Sequence, residues 1–249
     1  MRKIKSILML FCLGAMMDLI GCIKNPINPQ DPYEKFNRAM FGFDQAVDHL
    51  VYRPVAKVYK TIIPPPLQLG ISNAFTNLGM LTTVPNDVLQ GKFHWMFIDG
   101  WRFIINTTVG IGGLFDIATR MGLPKHHEDF GMTLAFYSDH KQPTYLVLPF
   151  MKPTTFRVAL TQPIDYYASP WPYLHPKSLR YTIMGLKWSN IRAGLMETNS
   201  LVDASFDSYA FVRSAYLQQR NKLIAENEKD YTLPHKTKAT KAPNISYAH

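Results

Sequence analysis

Phe36, Met40, Phe43, Val47 and Leu50 recur at alternating spacings of four and three. That rhythm puts them on one face of a helix. Asp31-Pro32 stands just ahead of it, a capping acid followed by proline at the first helical position. Pro54 marks a kink or restart, and Pro64-Pro65-Pro66 ends the segment, because proline has no amide to donate and clashes with the preceding turn. Ser72-Asn73 opens a second, shorter helical stretch carrying Phe75 and Leu78. Pro85-Asn86-Asp87 is a further start signal.

The segment from Phe93 to Phe115 has a different character. Trp95, Met96, Phe97, Ile98, Trp101, Phe103, Ile104, Ile105, Val109, Ile111, Leu114 and Phe115 make it apolar nearly all round. Its charges before Asp116 are Asp99 and Arg102, three apart and able to pair along one helix face. Such a helix is either deep core or lipid-facing. On pattern alone deep core is favoured, as the commoner case.

Beyond Gly122-Leu123-Pro124 the pattern loosens. Tyr145-Leu146-Val147-Leu148 reads as a strand or a buried extended piece ended by Pro149. Residues 161–178 carry Pro163, Pro170, Pro172 and Pro176 among aromatics, which suits a surface loop or short helices. Helix resumes from about Leu179 to Thr198 and again from about Ser205 to Glu226. From Asn227 the chain is polar and Lys-rich without apolar periodicity, a composition expected to be disordered. The fold class is therefore mainly α, built of short helices broken by proline, without internal repeats.

The first residues change where this domain must live. Arg2, Lys3 and Lys5 precede an apolar run from Ile7 to Met17, and Leu19-Ile20-Gly21-Cys22 follows. This order is that of a secretory signal with a small residue before the cut. A cysteine directly after that residue looks like a bacterial lipobox, so residues 1–21 are expected to be removed and Cys22 acylated. Residues 22–30 then form a tether. The run is too short to span a bilayer, which takes about 20 apolar residues, and Asp18 interrupts it. Cys12 leaves with the signal and Cys22 is acylated, so no disulfide framework is available. Losing Arg2, Lys3, Lys5 and Asp18 takes the net charge from +9 to +7. A basic balance suits nucleic acid or anionic lipid. Export and acylation favour lipid head groups and exclude nucleic acid. Ile23 after Cys22, rather than Asp, is consistent with the outer membrane.

Candidate chemistry is sparse. Val109-Gly110-Ile111-Gly112-Gly113 lacks the Gly-Lys-Ser/Thr ending of a phosphate loop and the preceding strand of a dinucleotide turn. A sharp break or close helix packing is its expected role. His126-His127-Glu128-Asp129 lacks ligand spacing and reads as a loop or helix-start cluster rather than a metal site. There is no Gly-x-Ser-x-Gly elbow and no paired-carboxylate constellation. No enzyme activity, cofactor or metal is expected.

Several stretches, in order, resemble the MlaA (VacJ) family of outer-membrane lipoproteins. They begin with Asp31-Pro32-Tyr33-Glu34-Lys35-Phe36-Asn37-Arg38-Ala39-Met40-Phe41-Gly42-Phe43 and Arg53-Pro54-Val55-Ala56. Asn86-Asp87-Val88-Leu89-Gln90-Gly91 follows, then the most specific piece, Arg102-Phe103-Ile104-Ile105-Asn106-Thr107-Thr108-Val109-Gly110-Ile111-Gly112-Gly113-Leu114-Phe115-Asp116. Glu128-Asp129-Phe130-Gly131, Tyr145-Leu146-Val147-Leu148-Pro149-Phe150 and Tyr209-Ala210-Phe211-Val212-Arg213 close the match. Asp44 stands where the family more usually has Asn. The resemblance covers roughly residues 31–220, leaving 221–249 as a helix end and a polar, disordered tail.

The resemblance implies a ring-like assembly of short helices embedded in one membrane leaflet, the inner leaflet of the outer membrane. It implies removal of mislocalised phospholipid from the outer leaflet through a polar channel and delivery to a periplasmic phospholipid carrier protein. Association with a trimeric porin is part of the same implication. It turns Phe93–Phe115 from a core helix into part of the lipid-embedded ring. Asn106, Gly110, Gly112, Gly113 and Asp116 become candidates for the lipid path or the ring turn. A lipid-acting enzyme of phospholipase type and a structural porin accessory remain the alternatives.

Overall fold

The computed structural model describes residues 28–138 and 142–239, without the side chains of 230–239. The expected signal, Cys22 and most of the tether lie outside the described residues. Helix α1 (Glu34–Val47) runs into a single π turn (Asp48–Tyr52) and then α2 (Arg53–Ile62). Pro54 lies at the start of α2, so the proline marks a restart. The residue that follows α2, Ile63, is extended because the proline after it disfavours the helical region. Asp31 does not cap α1, which starts after Tyr33. It is buried instead, accepting from Asn37 Nδ2 (2.8 Å), the Tyr209 hydroxyl (2.5 Å) and Arg213 (2.6 Å). The expected cap is thus a carboxylate that ties the chain start to the last helix.

Helix α3 (Pro65–Leu89) is one unbroken element, so the expected starts at Ser72-Asn73 and Pro85-Asn86-Asp87 lie inside it. Their side chains are used otherwise. Asn73 Nδ2 donates to the Leu114 carbonyl, and Asn86 Nδ2 donates back to that of Thr82. Helix α4 (Phe93–Thr108) packs along α3. After it come α5 (Ile117–Arg120), α6 (Phe130–Phe136), a two-stranded antiparallel ladder of β1 (Tyr145–Leu146) and β2 (Thr154–Thr155), and α7 (Phe156–Ala168). Tyr145 pairs with Thr155 and Leu146 with Thr154. Helix α8 (Lys177–Gly194) packs on α2. A short α9 (Asn199–Asp203) leads to the long α10 (Ser208–Ala239). The tail expected to be disordered from Asn227 is helical to Ala239. Asn227 itself is buried and donates to Gln90 (2.9 Å) and Glu128 (2.5 Å), which fastens the helix where periodicity ends.

The interior is not a conventional apolar core. Among the described residues, buried polar and charged side chains outnumber buried apolar ones. The apolar interior is three small clusters, around Tyr145 and Tyr209, around Ala56 and Ala193, and around Met132 and Ile224. Helix α4 is turned inside out. Asp99, Arg102 and Asn106 are buried, whereas Phe93, Phe97, Trp101 and Ile104 are exposed. Leu50, Val58, Ile62, Leu69, Val109, Ile111, Leu160 and Tyr167 extend the exposed apolar set. So much apolar surface marks an interaction with lipid or another protein. Asp99 and Arg102 do not pair with each other: Asp99 contacts His126 and Arg102 contacts Asp116. No helix among the described residues is long and apolar enough to cross a membrane.

Polar contacts hold the α6–α7–α10 corner. Asp129 caps α6 by accepting from Met132 N–H (2.7 Å) and takes a bidentate pair from Arg220 (2.7 and 2.8 Å). Asp165 accepts from Phe130 N–H (3.0 Å), yet burial pushes its carboxyl up to about 6. An acid whose folded pKa lies above its unfolded value favours folding only while protonated. Its contribution is therefore complete below about pH 4 and lost as pH rises through about 6. Asp165→Asn keeps the acceptor and removes the charge. It is expected to raise stability by about 1 kcal/mol above pH 7 and by nothing at pH 4, the gain being limited by solvent screening of a partly exposed group. Thermal melts of both chains at the two pH values measure this.

Candidate functional site

The last turn of α1, the π turn, the 150–153 segment and α8 enclose a cavity of about 550 Å³. Val51, Tyr52, Val55, Phe150, Met151, Trp188, Ile191 and Leu195 supply apolar walls, while Asp44, Asp48, Lys152 and Arg192 supply charge. A space of this size with few placed polar groups is the usual form of a binding site for a largely apolar ligand. Several of its walls, among them Val51, Val55, Phe150 and Trp188, are themselves exposed.

Each charged group is held in a distinct way. Asp48 accepts from Arg53 Nε (2.8 Å) and from Arg192 Nε and Nη2 (2.6 and 2.8 Å). Burial works against its charge, but the two guanidinium groups win and hold its carboxyl below the usual range. Arg192 also donates to Asn199 (3.1 Å), and its Nη1 is buried without a hydrogen-bond partner. Asp44 sits one turn earlier. Its Oδ1 accepts from Phe150 N–H (2.8 Å) and its Oδ2 is buried without a hydrogen-bond partner. Burial raises the Asp44 carboxyl, and the single amide offsets that only in part. The same amide bond fixes Phe150 at φ 62°, a left-handed backbone that non-glycine residues seldom adopt. Phe150 meets Phe43 edge to face at 5.2 Å.

Lys152, like Asp44 and unlike Asp48 and Arg192, has no ion pair among the described residues. Its ammonium lies 5.4 Å from the centroid of Trp188, and although the side chain is exposed, crowding by neighbouring atoms lowers its pKa. Lys187, one residue before Trp188, lies 4.8 Å from the Trp171 centroid, and burial and the charge of Lys152 lower it in turn. The cavity thus offers an under-neutralised cation beside an aromatic and aliphatic wall. That pairing fits an amphiphile with an anionic end.

The five residues expected at the lipid path or ring turn come together, but elsewhere. Gly110, Gly112 and Gly113 form the turn that leaves α4. Gly112 N–H donates to the Thr107 carbonyl (2.9 Å), and Gly113 N–H to that of Asn106 (2.7 Å). At Gly113 φ is 87° and an added Cβ would lie 2.7 Å from Asn77 Cβ. At Gly110 a Cβ would collide with the carbonyls of Asn106 and Phe115. Asp116 accepts from Arg102 (3.0 Å), Asn106 Nδ2 (3.1 Å) and Thr119 Oγ1 (2.7 Å). Asn106 Oδ1 accepts from Ala118 N–H (2.9 Å). Asn106 and Asp116 line a tight cleft with Asn73, Asn77 and Arg102, not the 550 Å³ cavity. Sequence reasoning did not single out Lys152, Trp188 or Arg192. Asp44 and Asp48 carried a signal, since two acids four apart break the face that α1 shows its neighbours.

The family model for the MlaA lipoprotein matches residues 29–223. An uncharacterized protein of Rickettsia bellii is 36% identical over 207 residues, covering 82% of this chain and 80% of that protein. The Escherichia coli "Intermembrane phospholipid transport system lipoprotein MlaA" is 33% identical over 213 residues, covering 82% of this chain and 83% of its own length. A solved structure described as "Structural basis for maintenance of bacterial outer membrane lipid asymmetry" superposes with a TM-score of 0.66 at 32% identity, over 78% of this chain and 98% of that one. With a matched region that takes in α1, the cavity walls, the glycine turn and the first half of α10, the chain belongs to the MlaA lipoprotein family.

Proposed function

We propose that this chain is an outer-membrane lipoprotein, anchored through acylated Cys22, that maintains outer-membrane lipid asymmetry. It takes phospholipid mislocalised in the outer leaflet through its amphipathic cavity and hands it to a periplasmic phospholipid carrier protein for retrograde transport. The observation that supports this reading is the inverted polarity of the domain, with exposed apolar side chains over a largely polar buried interior, together with a cavity whose apolar walls carry a few charged groups. Helices suit a body sunk in one leaflet, because backbone groups in lipid must pair internally. Taking an unpaired charged head group through hydrocarbon costs several kcal/mol or more. A path past Lys152 and Arg192 lowers that cost while acyl chains slide along Phe150, Trp188 and Ile191. The exposed face of α4, with Phe97, Trp101 and Ile104, is offered to lipid and to a trimeric porin. No catalytic step and no cofactor are required.

Deleting the coding sequence in the native bacterium is expected to raise outer-leaflet phospholipid several-fold and sensitise cells to detergent, with both reversed by the wild-type copy. An unchanged outer leaflet rejects the transport reading. Release of fatty acid or lysolipid from vesicles by the purified chain would instead support a phospholipase-type enzyme.

A further inference from the structure

A second cluster lies away from the cavity, where the end of α3, the middle of α4 and the segment before α6 meet. Asp87 and Asp99 are fully buried there. With both acids ionised, both carboxylate oxygens of Asp87 and Oδ1 of Asp99 have no hydrogen-bond donor, and the two carboxyls lie close enough to hold a proton between them. His126 Nδ1 faces them, 2.7 Å from Asp99 Oδ2 and 3.6 Å from Asp87 Oδ1. One ligand atom from each of the three residues lies within 4.8 Å of the others. Two buried carboxylates sharing one imidazole are costly unless something more strongly positive sits between them.

The far side of the imidazole is also arranged. His126 Nε2 lies 3.3 Å from Glu128 Oε1 and the ring stacks on Trp95 at a centroid distance of 4.3 Å. Glu128 is gripped by Lys92 (3.0 Å), Gln90 (3.1 Å) and Asn227 (2.5 Å). A carboxylate that accepts from Nε2–H fixes that proton in place, so that Nδ1 is the nitrogen that can give up its proton and turn its lone pair to a metal ion. Carboxylate–histidine pairs orient ligands in metal sites in this way.

We propose that Asp87, Asp99 and His126 bind one divalent transition-metal ion of the zinc class. One nitrogen and two carboxylate ligands, with a position left for water, match zinc. Calcium needs six or more oxygens and magnesium a near-ideal octahedron. Ligand atoms held about 2.0–2.1 Å from a tetrahedral zinc lie roughly 3.3 Å apart, so side-chain adjustments alone close the set. The ion replaces the proton between Asp99 and His126 and clips α3 and α4 to the 121–129 segment.

The full chain, purified in detergent, stripped with chelator and dialysed, is titrated with zinc chloride in a calorimeter. One equivalent per chain is expected, together with a metal-dependent rise in melting temperature. Asp87→Asn and Asp99→Asn should each weaken binding at least tenfold. His49 and His94 persist in both variants, so zinc held non-specifically survives there. Equal binding in the variants, no saturable equivalent, or a preference for calcium or magnesium overturns the site. Cobalt(II) added to the wild-type chain gives a reading that needs no variant. Visible bands of a four-coordinate site support the proposal, and the pale spectrum of the hexa-aquo ion overturns it.

Discussion

A Lys152→Glu chain is expected to leave cells with the outer-leaflet phospholipid of the deletion strain, although the protein is made and membrane-bound in normal amounts. Lys152 lies at the cavity, close to Trp188, without an ion pair among the described residues. Reversing it breaks no ion pair, so the cost in stability is small. The effect on an anionic head group is large. Two like charges about 4 Å apart at an effective dielectric of about 20 repel by roughly 4 kcal/mol, and the reversal also removes an attraction. The rate of lipid movement should fall at least a hundredfold, since each 1.4 kcal/mol is about a factor of ten. Lys152→Arg should retain function. Outer-leaflet phospholipid in complemented deletion strains is the measurement. Full complementation by Lys152→Glu would remove the head-group path from this cavity.

Replacing Arg102 with Met is expected to destabilise the domain by about 3–5 kcal/mol, the usual result of removing one partner of a buried ion pair. The guanidinium reaches Asp116 (3.0 Å), Thr119 Oγ1 (3.1 Å) and the Leu123 carbonyl (2.6 Å) from inside α4. It therefore holds α4 to the segment beyond the glycine turn. Asp116 keeps Asn106, Thr119 and Lys125, which places the loss toward the lower end. Arg102→Lys rescues little, because an ammonium cannot span three partners as a planar fork does. Chemical denaturation in detergent micelles measures both variants, and a wild-type midpoint for Arg102→Met would contradict the role.

Much of the helical content was legible from periodicity, but which way the helices face was not. In α4 the polar positions Asp99, Arg102 and Asn106 are spaced three and four apart. The same rule that finds a buried apolar stripe finds here a buried polar one, and the rule does not say which side meets the interior. The resemblance of residues 102–116 to a lipoprotein family pointed to lipid, and the exposed Phe97 and Trp101 agree with it. Ser72 and Pro85 are sound local start signals. They fail inside α3 because packing along α4 outweighs a capping preference of about 1 kcal/mol. The glycine turn was found because its constraint is local. The cavity was not, because its walls come from residues 44–55, 150–153 and 185–195. No spacing along the chain announces that meeting. His126 is the same case: neighbours in sequence offered no ligand set, while Asp87 and Asp99 arrive from two other helices.

The outward-facing aromatic and aliphatic side chains of α2, α3 and α4 have a consequence before the protein reaches its membrane. On the proposed route, with Cys22 acylated after export, the chain crosses an aqueous compartment before insertion, and there Leu69, Phe97 and Trp101 are as great a liability as the acyl chains. An escort that sheltered only the acyl chains would leave the body of the protein free to aggregate. Delivery therefore demands a carrier with room for a helical face, or insertion fast enough to outrun self-association. Overproduction without matching escort capacity would then fail in transit rather than in folding.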